Sequence, residues 1–479
     1  MEVTIDFSKI KTVHFIGVGG IGTSAIARAF LLEGKKVSGT DMAESEVTKA
    51  LREAGAAISI GENAKNVPAD CDVVVYTIAV LKQGAPLSDK GAPCLAHAEL
   101  VEAKKRGIPI LSYPEALGII SKDKYSIVIT GTHGKTTTTA MIAKIMMDAG
   151  LDPTVILGSF LLDVEKGSPR SDLKSGERSD LKGTPRTNFV AGKSKYLVVE
   201  GCEYCRSFLN LHPNILVITN IDADHLDYYR DMQDIVSAFV ELSQKLPRDG
   251  YLVIDSHAPN VQAVVKQSHS QNGDFAALKL PEGFRLHIPG THNLLNAKAA
   301  WGVAKILGIP DAQALRSLQE FRGTWRRFEY RGQVKNGALV YDDYGHHPTE
   351  IHATLTGTRE LFPKEKIIVV FQPHLYSRTK RHLAGFGSAF KEASSVILLP
   401  IYPARERDPG DINSQMVVDE LRKNAKDAHC VETFAEAAAL AEKLSGAGDL
   451  PASRGQAGLI LTLGAGETNK VADILTGAD

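Results

Sequence analysis

Fifteen residues, Tyr125 to Thr139 (YSIVITGTHGKTTTT), constrain this chain more than any other stretch. A short apolar, β-branched run ends in a glycine turn, and a lysine and four threonines then enter a predicted helix. Such a strand–turn–helix crowds backbone N–H groups round phosphates. It also brings Lys135 to the phosphate charge and lets the Thr136 hydroxyl reach Mg2+. The strict pattern G-x-x-x-x-G-K-[ST] is not met: its first glycine would fall at Ile129, and Gly131 stands only three residues before Gly134. The shortened loop points to one branch of the phosphate-loop enzymes.

At 479 residues the chain is too long for one core, and ~150 residues per domain predicts about three. Fifty-five Lys and Arg against 56 Asp and Glu leave a net charge of −1, so no global basic field argues for nucleic acid or an anionic membrane. The opening MEVTIDFSKIKTVHFIG carries early acids and an apolar run broken by glycine, and is expected to be neither signal peptide nor anchor. Five cysteines (Cys71, Cys94, Cys202, Cys205, Cys430) are too sparse for a disulfide framework and fit a reducing cytoplasm. Cys202 and Cys205 form a C-x-x-C that can bind zinc or cycle redox, but no second pair accompanies it, and incidental thiols are the expectation.

The first ~120 residues alternate strand and helix. Lys11–Ile16 is a predicted strand, Gly17-Val18-Gly19-Gly20-Ile21-Gly22 a glycine turn, and Thr23 to Leu32 an apolar helix. A strand at Lys36–Gly39 ends near Asp41, at the spacing where a dinucleotide-binding unit sets an acid on a ribose hydroxyl. Asp72–Thr77 adds a further strand. The helix N-terminus accepts any diphosphate, so NAD is only one reading. A second region opens at Tyr125, with strands at Tyr196–Glu200, Ile215–Asn220 and Tyr251–Asp255 and a helix over Asn293–Leu307. A third begins near Trp325, with strands at Ala338–Tyr341, Lys366–Phe371, Ser395–Pro400 and Gly458–Leu463. Each reads as a largely buried parallel sheet with helices. Glu165–Lys195, polar and internally duplicated at Arg170–Lys174 and Arg178–Lys182, reads as a mobile surface loop.

Polar groups collect after predicted strands. Glu200 closes YLVVE where a carboxylate can complete Mg2+ coordination, and TNIDADHLD places His225 among three acids. Asn293 and Asn296 open a helix in GTHNLLN, suited to capping or to reading a purine edge. DDYGHHP (Asp342 to Pro348) and QPHLYSRT (Gln372 to Thr379) follow strands of the third region, and arginine there can take a carboxylate or phosphate bidentately.

GTHGKTTTT, TNIDADHLD, GTHNLLNAKAA, RRFE, DDYGHHPTE and FQPHLYSRT resemble the successive signatures of the Mur ligases, from HFIGVGGIGTSAIA through LTLGAG. The resemblance implies three α/β domains: a Rossmann-like UDP-substrate domain (1–122), a central P-loop ATPase-like domain with a mainly parallel sheet (123–324), and a C-terminal Rossmann-like domain (325–479) that closes over ATP and brings the amino acid. Motif order and detail are most similar to the branch that joins L-alanine to the carboxylate of UDP-N-acetylmuramate through an acyl phosphate, in the cytoplasm, as a monomer or homodimer.

By that resemblance Gly131, Thr132, His133, Gly134, Lys135, Thr136 and Thr137 hold ATP, and Asn293, Asn296, Arg327 and Asp343 contact the nucleotide. Thr136, Glu200 and His225 hold Mg2+, with Lys135, Glu200, His225, His347 and Arg378 in catalysis. Gly17, Gly19, Gly20, Gly22 and Asp41 take the UDP group, while His346, His347 and Arg378 meet the amino acid and acyl phosphate. Two features depart from the pattern. The family's E-A-D-E-S-D reads Glu200-Gly201-Cys202-Glu203-Tyr204-Cys205 here, leaving Glu203 to compensate for two lost aspartates, and the Glu165–Lys195 loop is long. The histidine branch also implies no carbamylated lysine. The competing readings are a tripeptide-recycling ligase sharing the same acceptor, a nicotinamide-dependent oxidoreductase with an ATP-binding regulatory domain, and a non-catalytic nucleotide-binding regulator. A dehydrogenase gives no reason for the Gly131–Thr139 loop joined to a closing third domain, and intact Lys135, Thr136, Glu200 and His225 argue against a regulator.

Overall fold

A computed structural model describes residues 5–80, 97–161, 187–226, 228–404, 406–446 and 458–477. Cys94, Asp227 and the duplicated stretch at 170–182 lie outside the described residues. The architecture is three α/β domains with mainly parallel sheets.

The first sheet comprises β1 (Thr12–Ile16), β2 (Lys36–Asp41), β3 (Ala57–Ile60), β4 (Val73–Tyr76) and β5 (Ile110–Ser112), ordered β3-β2-β1-β4-β5 and parallel throughout. Strand order reverses beside β1, so its carboxyl end opens a crevice into which the glycine turn projects. The second sheet comprises β6 (Tyr125–Thr130), β7 (Thr154–Leu161), β8 (Thr187–Val190), β9 (Tyr196–Glu200), β10 (Ile215–Ile218), β11 (Tyr251–Ile254) and β12 (Gln271–Asp274). Its order is β12-β11-β10-β6-β9-β7-β8, and only β7 and β8 pair antiparallel. The third comprises β13 (Glu329–Gln333), β14 (Leu339–Asp343), β15 (Ile367–Phe371), β16 (Ser395–Leu398), β17 (Asp427–Cys430) and β18 (Leu459–Leu463), ordered β13-β14-β18-β15-β16-β17 with one antiparallel pair, β13 and β14.

Central strands such as β1, β10, β15 and β18 are buried at every position, as expected where helices cover both faces of a parallel sheet. The first two domains form one compact unit, which runs to Phe284 and resumes at Leu295–Phe321. One continuous apolar cluster carries Val13, Phe15 and Ile26 together with Val128, Leu197 and Phe239. Helix Ile21–Leu32 packs on β7 and β8, where Asn188 accepts from Arg28 and donates to Ser24 Oγ at 3.1 Å. Residues 187–190 therefore depart from the expected surface loop. Asn188, Phe189 and Val190 are buried because pairing with β7 and packing against the first domain satisfy their backbone and side chains. The other compact unit holds Arg285–Leu294 and the chain from Arg322. No helix among the described residues is long and apolar enough to cross a membrane.

Candidate active site

The phosphate loop leaves β6 and enters helix Lys135–Asp148. Four consecutive threonines are poor helix formers in isolation because χ1 is restricted against the preceding turn. Here Thr136 to Thr139 are all buried, and Thr139 Oγ1 donates to the Lys135 carbonyl at 2.8 Å, so tertiary packing overrides propensity. The helix lies against β6, β7, β9 and helix Asp311–Gln319. Gly131 adopts φ 131°, and a Cβ there would fall 2.1 Å from Thr219 Oγ1. Gly134 adopts φ 83° as the N-cap, with Asn296 Oδ1 filling the space a Cβ would need. Both positions require glycine.

Parallel register brings the rest of this site to the loop. Ile129 pairs with Glu200 and Thr130 with Ile218, so the residues leaving β9 and β10 flank the turn. TNID then acts as a cradle. Asn220 accepts the His133 N–H at 2.9 Å through Oδ1 and the Thr132 N–H at 3.1 Å through its carbonyl. Thr219 Oγ1 donates to the His133 carbonyl at 2.6 Å, and the Thr132 hydroxyl accepts the Asp222 N–H at 2.8 Å. The His133 ring reaches Asp222 at 3.5 Å. These bonds fix the loop before any ligand arrives.

Thr136 Oγ1 lies 3.0 Å and 3.1 Å from the two Glu200 oxygens. Lys135 Nζ donates to the carbonyls of Gly131 (2.7 Å) and Thr132 (2.9 Å) and meets the Glu203 carboxylate at 3.0 Å. Burial works against the charge on Lys135, but Glu203, Cys202 and Glu200 outweigh it and hold its pKa above the ordinary lysine value. His225, in left-handed backbone at φ 54°, puts Nε2 3.6 Å from Glu203 and 3.8 Å from Asp224, with its ring 4.8 Å from that of Tyr204. The predicted residues thus form two pairs, Thr136 with Glu200 and Lys135 with the Glu203–His225 side. Among the described residues no group of three or more His, Cys, Asp or Glu is arranged to hold a metal ion. Thr136 and Glu200 nevertheless supply the hard oxygen donors that suit Mg2+, which takes few protein ligands and completes its shell with water and phosphate oxygens. Cys202 is exposed and Cys205 half-buried, and neither forms a disulfide.

In the first domain, Gly17 and Val18 donate their N–H groups to the Thr40 carbonyl at 2.8 Å and 3.0 Å. Gly20 donates to the Gly17 carbonyl at 3.2 Å and caps helix Ile21–Leu32, and Gly22 leaves room for the Tyr113 ring. Asp41 ends β2 as expected, but its carboxylate braces the turn, accepting Gly19 N–H and Met42 N–H at 2.8 Å each.

In the C-terminal unit the two adjacent arginines of RRFE have different surroundings. Arg326 is buried and donates to Asp342 (2.8 Å), Thr468 Oγ1 (2.8 Å) and the carbonyls of Gly464 (2.6 Å) and Gly466 (2.7 Å). Arg327 is half-buried, its guanidinium 5.0 Å from the Tyr344 ring centre. Asp343 accepts N–H bonds from Phe328 and Gly345 at 2.8 Å each, and burial pushes its carboxyl up to about 6 against the pull of Arg327. Asn293 donates to the Pro289 carbonyl at 2.6 Å. His347 is buried and caps helix Pro348–Leu361 through Nδ1, its ring 4.6 Å from that of His382. His346 contacts the Tyr344 carbonyl through Nδ1 at 3.2 Å. Arg378 Nη1 donates to His374 Nδ1 at 3.0 Å, and the His374 ring stacks on Tyr402.

The profile of the Mur ligase family catalytic domain matches residues 12–125, the Mur ligase middle domain 129–279, and the Mur ligase glutamate ligase domain 326–457. The chain belongs to the Mur ligase family. A UDP-N-acetylmuramate–L-alanine ligase from Clostridium kluyveri is 38% identical over 98% of this chain and 99% of its own length. One from Caldanaerobacter subterraneus is 36% identical over 98% of each. The crystal structure of the UDP-N-acetylmuramate–alanine ligase of Thermotoga maritima superposes with a TM-score of 0.73 at 27% identity, covering 98% of both chains. A murein peptide ligase from Psychrobacter arcticus, at 19% identity and TM-score 0.66 over 98% of both, shares the fold.

Within this Mur ligase, Glu203 and Arg326 were not among the site residues expected from sequence. Glu203 was noticed only as an acid left between two cysteines, and its value lies in meeting Lys135 and His225, neither adjacent in the chain. Arg326 was masked by its neighbour in RRFE, because nothing in the local pattern says which of two arginines faces inward.

Proposed function

We propose that the chain joins L-alanine to the carboxylate of UDP-N-acetylmuramate at the expense of ATP, as a cytoplasmic step of peptidoglycan synthesis. The observation that carries this reading is the phosphate loop, with Lys135, Thr136 and Glu200 around it, in a chain matched end to end by alanine-adding relatives.

The acceptor carboxylate oxygen attacks the γ-phosphorus of ATP, the bond to the β,γ-bridging oxygen breaks, and ADP leaves an acyl phosphate. The free amine of L-alanine attacks the acyl carbon, inorganic phosphate departs, and the amide forms as the nitrogen loses its proton. Lys135 and the N–H groups of Gly134 to Thr137 stabilise charge on the transferred phosphoryl group; Gly131, Thr132 and His133 shape the loop, whose His133 and Thr132 N–H groups are held by Asn220. Thr136 and Glu200 would hold Mg2+, which when bound would neutralise charge on the triphosphate. His225, beside Glu203, would hold a second cation, whose charge would offset that of the acceptor carboxylate. Asn293, Asn296, Arg327 and Asp343 contact the nucleotide. Gly17, Gly19, Gly20 and Gly22 shape the turn that receives the UDP group at the N-terminus of helix Ile21–Leu32, with Asp41 bracing that turn. His346 and Arg378 meet the amino acid and acyl phosphate, with His347 setting the helix behind them.

The test is release of phosphate from ATP with UDP-N-acetylmuramate and a panel of amino acids. Release that requires the acceptor and is strongest with L-alanine supports the reading. Release with a tripeptide but not L-alanine would overturn it.

A further inference from the structure

Two strands and the short Asn63–Asn66 segment of the first domain converge on one buried carboxylate that the reaction does not use. Glu99, in the first turn of helix Ala98–Lys105, is fully buried and accepts four hydrogen bonds. Its Oε2 takes His14 Nε2 from β1 at 3.0 Å and the Thr40 hydroxyl from β2 at 2.7 Å. Its Oε1 takes the Asn63 N–H at 3.1 Å and Asn66 Nδ2 at 3.0 Å. The His14 ring is spent on its other side as well, with Nδ1 2.8 Å from Ser38 Oγ. Burial works to raise the Glu99 carboxyl, but the bonds from His14, Thr40, Asn66 and Asn63 outweigh it and leave the group below the usual glutamate value. A buried carboxylate with every acceptor position taken is a rigid anchor rather than a proton carrier.

What it anchors is specific. Thr40 is the residue whose carbonyl receives the Gly17 and Val18 N–H groups, and the next residue, Asp41, receives the Gly19 N–H. Three consecutive N–H groups of the glycine turn are therefore tied to two adjacent residues at the end of β2, and the Glu99–Thr40 bond holds that end from behind. We propose that Glu99, acting through the Thr40 hydroxyl, is the positioning residue of the turn that receives the UDP diphosphate, with His14 fixing Glu99 in turn. It touches no substrate atom. It orients the backbone that does, as an outer partner orients a directly binding group. This inference rests on the assignment of the glycine turn to the UDP group.

The experiment uses the full chain and measures KM for UDP-N-acetylmuramate, KM for ATP, kcat and the thermal midpoint for wild type, Thr40→Val, Thr40→Ser and Glu99→Gln. Thr40→Val removes one hydroxyl bond at nearly constant shape. It is expected to raise KM for UDP-N-acetylmuramate roughly tenfold, the loss that one buried hydrogen bond commands. KM for ATP and kcat should stay within about twofold, because the phosphate loop keeps its own bonds to Asn220 and Thr219. Thr40→Ser restores the hydroxyl and should recover most of the acceptor affinity, and Glu99→Gln should shift KM in the same direction as Thr40→Val. A lowered thermal midpoint with both KM values unchanged would overturn the positioning role and leave Glu99 a structural anchor. A wild-type enzyme whose phosphate release ignores UDP-N-acetylmuramate would overturn the functional reading itself, and this inference with it.

Discussion

Lys135 Nζ stands 3.0 Å from Glu203 Oε2, a nearly buried lysine held by a carboxylate 68 positions away. The same amine donates to two carbonyls of its own loop, so its charge and its direction are both set before ATP binds. Lys135→Ala is expected to abolish ADP formation while leaving the Kd for UDP-N-acetylmuramate within about threefold, since the loops of the first and second sheets are braced separately. Isothermal titration of the variant with UDP-N-acetylmuramate checks the division; joint loss of binding and ADP release would contradict it.

Glu200 and Glu203 separate by chemistry. Glu200→Gln weakens the oxygen pair with Thr136, and the Mg2+ concentration for half-maximal ADP release should rise by about 10- to 100-fold, the range for disturbed metal shells. Glu203→Gln keeps the shape but takes away the countercharge of Lys135. Its kcat should fall at least about tenfold at saturating Mg2+, with a smaller shift in the Mg2+ dependence than Glu200→Gln causes. Identical Mg2+ titrations for the two variants would refute this assignment.

Arg326 and Arg327 should behave oppositely although they are neighbours. Arg326→Ala strands the buried Asp342 and two carbonyls and is expected to cost about 3–5 kcal/mol of stability. Arg327→Ala gives up a contact over the Tyr344 ring worth about 0.5–1 kcal/mol. Its main effect should appear as a raised KM for ATP. Denaturant unfolding and steady-state kinetics of both variants decide the point.

Asp343 gives a pH signature. Its folded carboxyl sits near 6 because burial disfavours the charged form, above its ordinary value of 3.8. A raised folded pKa means the folded state holds the proton more tightly. The stabilising contribution is thus complete below about pH 4 and is lost as pH rises through about 6. Asp343→Asn should remove that slope from the stability profile between those limits. A carboxyl resonance of Asp343 titrating near 4 would exclude the shift.

The interior strands were legible because continuous β-branched runs such as Tyr196–Glu200 and Ile367–Phe371 have one low-energy use in an α/β chain. All six edge strands (β3, β5, β8, β12, β13 and β17) escaped that reading. All are short, and β12 (Gln271–Asp274), β13 (Glu329–Gln333) and β17 (Asp427–Cys430) are polar as well, made strands by the neighbour they pair with rather than by their own pattern. β7, Thr154–Leu161, was missed although it is apolar and lies between β9 and β8.

The candidate site divides the same way. Spacing alone located the phosphate loop, Glu200 at a strand end and the glycine turn, since each is written in a local run of residue types, an apolar strand followed at once by glycines or an acid. By itself the sequence determined the α/β class, the loop that takes a triphosphate and the family. Only the tertiary structure decided that Asp41 braces Gly19, that Glu203 holds Lys135, that Arg326 rather than Arg327 is buried, and that Glu99 gathers His14 and Thr40. Those partners lie on different strands and loops, and a buried charge acquires its role only when the folded chain brings its counterpart within hydrogen-bond reach.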